Sequence, residues 1–317
     1  MSGLDPPDAP PPSIKAPSPD RPPIRKRLRR MAMGAATLTG LARRGYFIPY
    51  RYAPSDRPAG GYPALTPLFE AAAPAMRDVL AEAEAHRERF HAFDGAAPPE
   101  PRWQQGWYPR LDGLAAYMMI QRHRPRRVVE VGSGHSTRFL AAAAGDLAAR
   151  EAGTDSAITA IDPAPRADLS RLAGVTLHRA VAQAADPALF RALGPGDVLA
   201  VDSSHIAMPG TDVDWLIGHV LPGLPAGALL AMHDIFLPDP YPPAWDWRGY
   251  NEQGAIAALL AGGGWRVLWS SHWVATRMAA AVAAGVAGTL PLPAGAHESA
   301  LWLERLGRPQ VIPTRAD

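Results

Sequence analysis

A chain of 317 residues can bury a sizeable core and hold one large domain plus an appendage. Its 47% hydrophobic and 20% charged content is that of a folded globular protein, and a formal charge of +2, carried almost wholly by arginine, gives no footing for nucleic acid. The absence of cysteine excludes disulfides, thiolate zinc sites and cysteine nucleophiles, and no apolar run approaches the length of a membrane-crossing helix, which fits a cytoplasmic protein.

Residues 1–23 are proline-rich with almost no large apolar side chains, so they are expected to stay disordered. A helical extension follows over 24–100. It opens with Arg25-Lys26-Arg27-Leu28-Arg29-Arg30 and a mild apolar run from Met31 to Ala42. Thr37, Thr39 and two glycines dilute that run and Arg43-Arg44 follow it directly, so it reads as a basic amphipathic helix that packs on the domain or touches an anionic surface, rather than as an export signal. Residues 45–52 form an aromatic extended stretch. Thr66-Pro67 starts a second helix expected to run to Phe93, with a kink at Pro74. A proline-bearing linker, 96–102, leads to a helix over 110–123 that Pro125 stops.

From 101 onward the pattern becomes that of a single α/β domain. Strand-like runs fall at 127–131, 157–161, 174–178, 197–201, 227–232 and 265–270, and a last one at 300–304 is expected to run antiparallel. Helical segments lie between most of them, at 136–149, 188–193, 213–220, 251–261 and 272–284. That alternation predicts a Rossmann-like, seven-stranded, mostly parallel sheet with helices on both faces.

In such sheets ligands bind beyond the carboxyl ends of the strands. The first strand ends in Val128-Val-Glu130-Val-Gly132-Ser133-Gly134-His-Ser136-Thr137. A dinucleotide loop reads Gly-x-Gly-x-x-Gly after an apolar strand. Here Glu130 stands two residues before the first glycine, and Thr137 replaces the third. A carboxylate there would repel a pyrophosphate and suit a cationic, amino-acid-bearing ligand, a description that S-adenosylmethionine fits. The second strand ends in Asp162, placed to accept from both ribose hydroxyls of an adenosine. Aspartate before proline is also a common turn residue, but beside the first loop ribose binding is preferred. The fourth strand gives Asp202-Ser-Ser-His205, and the fifth gives His233-Asp234-Ile-Phe-Leu-Pro. A lone histidine is usually structural; two acid–histidine pairs leaving neighbouring strand ends make a catalytic cluster the better reading.

Taken together, these segments resemble class I S-adenosylmethionine-dependent methyltransferases, specifically the bacterial methyltransferase family 24 branch, over roughly 103–305. Tyr250-Asn251-Glu252-Gln253 matches a further element of that branch, and Ser136 occupies a position where the commonest methyltransferase loop has glycine. The resemblance implies that Glu130 and the Gly132–Ser133–Gly134 backbone meet the methionine part of the donor, with Ser136 and Asp202 at its side. It implies further that Asp162 holds the ribose and that Gln183, or Asp186, approaches the adenine.

By the same resemblance, the acceptor is a small molecule methylated on oxygen, and two versions of proton removal stand. In one, Asp202, His233 and Asp234 hold a divalent cation while His205 takes the proton. Since His233 replaces a carboxylate, manganese, iron or zinc would suit such a site as readily as magnesium. In the other, His205 or His233 is the base without a metal, oriented by Asp202 or Asp234. The Pro238–Tyr250 loop, with Tyr241, Trp245, Trp247 and Arg248, either closes over the acceptor or covers a sheet edge or subunit contact. Arg248 either meets an anionic substrate or pairs with Glu252. The Trp103–Arg110 segment is a candidate for the opposite wall, through Trp107 and Tyr108. A non-catalytic binding protein of the same fold is the alternative. A hydrolase or oxygenase using the His/Asp cluster is disfavoured by the lack of a Gly-x-Ser-x-Gly elbow and of a His-x-Asp pair. Homo-oligomerisation, the identity of the acceptor, and oxygen against nitrogen or carbon as its reacting atom all stay open.

Overall fold

A computed structural model describes residues 24–55, 60–93, 98–165 and 168–308. The proline-rich tail lies outside the described residues. The chain divides into two compact units, one comprising residues up to Tyr50 together with Pro242–Arg248, the other Arg51–Tyr241 and the remainder.

In the first unit the basic segment is helical over Ile24–Leu38 and buries only Gly34. Ile24, Leu28, Met31 and Leu38 are exposed on it. Lys26 Nζ lies 4.8 Å above the Trp247 ring and Arg30 donates to the Trp247 carbonyl, so this unit is tied to its own aromatic loop by cation–π and charge-assisted contacts.

The second unit is built on a seven-stranded sheet: β1 (Arg127–Val131), β2 (Ala157–Ile161), β3 (Val175–His178), β4 (Val198–Val201), β5 (Leu229–Met232), β6 (Trp265–Ser270) and β7 (Leu301–Arg305). Their order is β3-β2-β1-β4-β5-β7-β6, with β7 antiparallel to both of its neighbours and the rest parallel. β4 and β5 are unbroken runs of Val, Leu, Ala and Met buried along their whole length, as strands covered on both faces must be. β3, at the edge, alternates half-buried and exposed positions. The chain steps outward from β1 to β2 and β3, then returns to β4 on the other side of β1. The crevice between the carboxyl ends of β1 and β4 is therefore the switch point where ligands lodge in open α/β sheets.

Two helices differ from the sequence reading. The helix starting at Thr66 passes through Pro74 unbroken to Glu82. The interruption comes later, in a 3₁₀ turn over Ala83–His86, where Glu84 accepts from the Val286 backbone and from Arg87. The expected helix over 272–284 is two pieces, Ser271–Arg277 and Ala279–Ala284, parted at Met278. The helix Thr66–Glu82 buries Phe69, Met76 and Val79 and packs on β6. The helix Arg110–His123 is buried along almost its entire length, and Arg124, left-handed at φ 52°, ends it before Pro125. Among the described residues no helix is long and apolar enough to cross a membrane.

Candidate active site

The loop after β1 is set by one close approach. Gly132 has φ +81°, and a Cβ there would lie 1.8 Å from the Asp202 carbonyl oxygen. No side chain fits, so the loop can turn over the end of β4 only with glycine at this position. The Asp202 N–H in turn donates to the Val131 carbonyl at 2.9 Å. The helix His135–Arg150 then begins, its first turn closed by the Gly134 N–H donating to Thr137 Oγ1 at 2.9 Å.

Glu130 points into a narrow cleft lined also by Tyr108, Ser136, Asp202 and His233. Its side chain is buried, and the Ser136 and Thr137 hydroxyls donate to its two oxygens at 2.6 Å each. Burial pushes its carboxyl up to about 7, only partly opposed by those hydroxyls. A cationic ligand group would restore the charge. Donor affinity should then rise tenfold per pH unit up to about 7 as Glu130 ionises, and fall again above about 8, where an α-amino group loses its proton. Titration calorimetry from pH 5.5 to 9 would record that maximum; a flat profile would remove Glu130 from the ammonium.

Asp162 has contacts of its own. Its Oδ2 accepts from the Ser133 N–H and hydroxyl, both at 2.9 Å, and its Oδ1 from the Ala164 N–H at 2.8 Å. It thus braces the glycine loop as well as turning the chain after β2. Gln183 is exposed and donates to the Gly210 carbonyl at 3.0 Å. Asp186 caps the helix Pro187–Arg191, accepting from the Ala188 N–H at 2.8 Å. Asp186→Ala should cost about 1 kcal/mol in chemical denaturation and leave donor affinity unchanged. A loss of affinity would restore Asp186 to the binding site.

Beyond β4 and β5 the four expected groups come together with two carboxylates from elsewhere. His205 Nε2 lies 3.4 Å from Asp202 Oδ1 and 3.5 Å from Asp234 Oδ2. His233 Nδ1 lies 3.3 Å from Asp202 Oδ1 and 3.4 Å from Asp234 Oδ1. Behind each ring stands a buried acid: Glu252 Oε1 is 2.5 Å from His205 Nδ1, and Asp112 Oδ2 is 3.1 Å from His233 Nε2. Burial alone would discharge the imidazoles. Glu252 and Asp202 around His205, and Asp202 and Asp234 around His233, outweigh it and hold both rings well above their ordinary values. Burial would likewise raise Asp202, but the two imidazoles keep it well below the usual carboxylate range. His205 and Asp234 both adopt left-handed backbone, φ 60° and 57°, an uncommon conformation for non-glycine residues that is found disproportionately at working sites.

Asp112 and Glu252 are the members the sequence reading did not assign. Asp112, fully buried in the first turn of its helix, also accepts from the Ser299 and Ala300 N–H groups at 2.9 and 2.8 Å. Nothing in its local sequence signals that. Glu252 belongs to the Tyr-Asn-Glu-Gln element, which encloses His205. Tyr250 sits 4.5 Å from its ring, and the Asn251 N–H donates to its carbonyl at 3.1 Å. Arg248, for which an anionic substrate or Glu252 was the expected partner, lies 3.8 Å over the Trp245 ring. Tyr108 packs 4.9 Å from His233, which makes it a wall of the cleft, while Trp107 stacks on His135.

The donor set Asp202, His233 and Asp234 matches a borderline divalent cation in kind. Their atoms, however, are engaged with one another, and among the described residues no group of three or more His, Asp or Glu side chains is placed to hold an ion. The glycine loop and buried carboxylate do fit a donor with a cationic amino-acid end.

Comparison with known proteins bears on the same segment. A family model described as a methyltransferase domain, Methyltransf_24, matches residues 129–235. Among solved structures, the chain is similar to the CmcI-N160 apo-structure, with 17% identity over 62% of this chain and 71% of that one and a TM-score of 0.36. It is similar to the O-methyltransferase from Bacillus cereus in complex with SAH, at 10% identity over 72% and 90% of the two chains with a TM-score of 0.38. MycE methyltransferase from the mycinamycin biosynthetic pathway, in complex with Mg, SAH and mycinamycin VI, is similar at 14% identity over 70% and 54%, TM-score 0.35. No curated protein matches the chain.

Proposed function

We propose, for a chain whose residues 129–235 match a methyltransferase domain model, that the protein transfers a methyl group from S-adenosylmethionine to an oxygen of a small-molecule acceptor in the cytoplasm. The observation that carries this reading is Glu130, a buried carboxyl held near neutrality at the mouth of a glycine turn, in the same cleft as His233 and Asp202. When bound, S-adenosylmethionine supplies the electrophilic methyl carbon. Glu130 takes the ammonium of its methionine part, the Gly132–Gly134 backbone lets it lie close, and Asp162 is the candidate for the ribose.

His205 is the better base of the two histidines. His233 has both ring nitrogens in hydrogen bonds, to Asp112 and Asp202. Among the described residues His205 makes a close hydrogen bond only through Nδ1, to Glu252; its Nε2 is held more loosely, 3.4–3.5 Å from Asp202 and Asp234. Nε2 takes the acceptor hydroxyl proton as the new oxygen–methyl bond forms and the methyl–sulfur bond breaks, and Glu252 stabilises the resulting imidazolium. Titration calorimetry with S-adenosylmethionine and S-adenosylhomocysteine tests the reading. Micromolar binding that disappears in Glu130→Ala is expected, and absence of any binding by the unaltered chain would end it.

A further inference from the structure

The basic helix Ile24–Leu38 has one face packed and another left bare. Trp247 takes the side chains of Lys26 and Arg30, the first over its ring and the second at its carbonyl. Phe47 lies so close to Gly34 that a Cβ there would sit 3.1 Å from its ring, and the Arg44 N–H donates to Thr37 Oγ1 at 2.8 Å. Residues 26, 30, 34 and 37 thus form the face that the helix turns to its own unit. Ile24, Leu28, Met31, Ala35 and Leu38 follow one another at intervals of four and three, so they form a single stripe elsewhere on the helix. All five are exposed, the four large ones by 60 to 72%. At about 100° per residue, Arg27 falls on one flank of that stripe and Arg25 and Arg29 on the other.

The charge of the segment says what such a stripe meets. Residues 24–51 hold eight lysines and arginines and no acid, although the chain as a whole carries only +2. A second copy of the helix would bring those cations against their like, a repulsion that a short apolar seam has first to overcome. Nucleic acid would satisfy the cations, but leucine and methionine gain nothing on a phosphate backbone. Residues 1–23 offer Met1, Leu4 and Ile14 as their only large apolar side chains, too few to cover the stripe. Anionic phospholipid answers both features at once, with headgroups for the arginines and acyl chains for the stripe. We propose that the helix Ile24–Leu38 lies in the plane of an anionic bilayer surface, with Leu28 and Met31 below the headgroups and Arg25, Arg27 and Arg29 among them. The contact is independent of the methyl-transfer reading, and neither test decides the other.

Sedimentation of the full chain with lipid vesicles tests it. Phosphatidylcholine vesicles containing one-third phosphatidylglycerol should carry the chain down at low salt, and vesicles of phosphatidylcholine alone should not. Raising sodium chloride from about 0.05 to about 0.5 M should weaken the binding tenfold or more by screening the headgroup attraction. The triple variant Arg25→Gln, Arg27→Gln, Arg29→Gln should lose affinity roughly 100-fold, at about fivefold per cation. The double variant Leu28→Ser, Met31→Ser should lose about tenfold and keep its salt dependence. All five side chains are exposed, so both variants should melt with the unaltered chain. Undiminished binding by the double variant would mean that phosphate charge alone is recognised, as nucleic acid offers it, and would overturn the proposal. Undiminished binding by the triple variant, or equal sedimentation with both kinds of vesicle, would overturn it as well; the lipid and salt comparisons need no variant. Absence of binding by the unaltered chain would also overturn it, and a dimer that comes apart in the double variant would then assign the stripe to a second copy.

Discussion

Replacing Glu130 with glutamine is expected to weaken S-adenosylmethionine binding by roughly 100-fold or more and, in the ligand-free protein, to raise the melting temperature at pH 8. Both effects come from one carboxyl. Its rise from 4.5 to about 7 on folding means that the ionised form is disfavoured in the native state, by about 3 kcal/mol once fully ionised. Because the folded value is the higher one, the penalty is absent below pH 4.5, grows between 4.5 and 7, and is complete above that. Glutamine carries no such charge and can keep a hydrogen bond to Ser136 or Thr137. Scanning calorimetry should therefore find the variant more stable by several degrees at pH 8 and no more stable at pH 4.5. If the variant gains nothing at pH 8, Glu130 is not held against its ionisation. If it gains stability yet still binds the donor, the ammonium lies elsewhere. A site that destabilises its own fold until its ligand arrives is a familiar exchange of stability for function.

His205→Asn is expected to lower kcat/KM by about 10²- to 10⁴-fold while changing donor affinity less than twofold. Asparagine is chosen because it tolerates the left-handed backbone at this position, φ 60°, better than alanine does. In the unaltered enzyme the imidazole must lose its proton before it can act, and its neighbours hold it well above 6.5. The acid limb of the kcat/KM profile should therefore lie on the alkaline side of an ordinary histidine, and the variant should lack that limb. A stability signature accompanies it. The raised imidazole contributes stability that is fully present below pH 6.5 and is lost as pH rises through its folded value, so His205→Asn should destabilise most on the acid side. Retention of the limb in the variant would transfer the proton to His233.

The sheet and much of the site could be read from the chain because each strand is an apolar run that ends at a polar residue, and a parallel sheet gathers those ends on one edge. Glu130, Asp162, Asp202, His205, His233 and Asp234 all announce themselves that way. Asp112 does not, since it sits in the first turn of an otherwise buried helix and meets His233 across 121 positions of sequence. Glu252 was visible within its motif but not its role, because the approach of that motif to His205 depends on how the chain returns after β5. Gln183 follows an edge strand, where little packing fixes a side chain's direction, and it turns to the Gly210 carbonyl. The 3₁₀ turn over Ala83–His86 has no signal of its own in the sequence, because Glu84 there meets Val286, a residue about two hundred positions away.

The 1.8 Å that separates a notional Gly132 Cβ from the Asp202 carbonyl also limits how this chain can diversify. The turn proposed to meet the methyl donor and the strand end proposed to present the proton-handling groups are in backbone contact and cannot shift independently. Variation that changes the acceptor must accumulate in the segments following β4 and β5, where the chain is free of that constraint. Recombining those segments with the ones from related enzymes, with residues 127–137 and 198–202 left untouched, is the route by which new acceptors could be acquired without rebuilding the donor half.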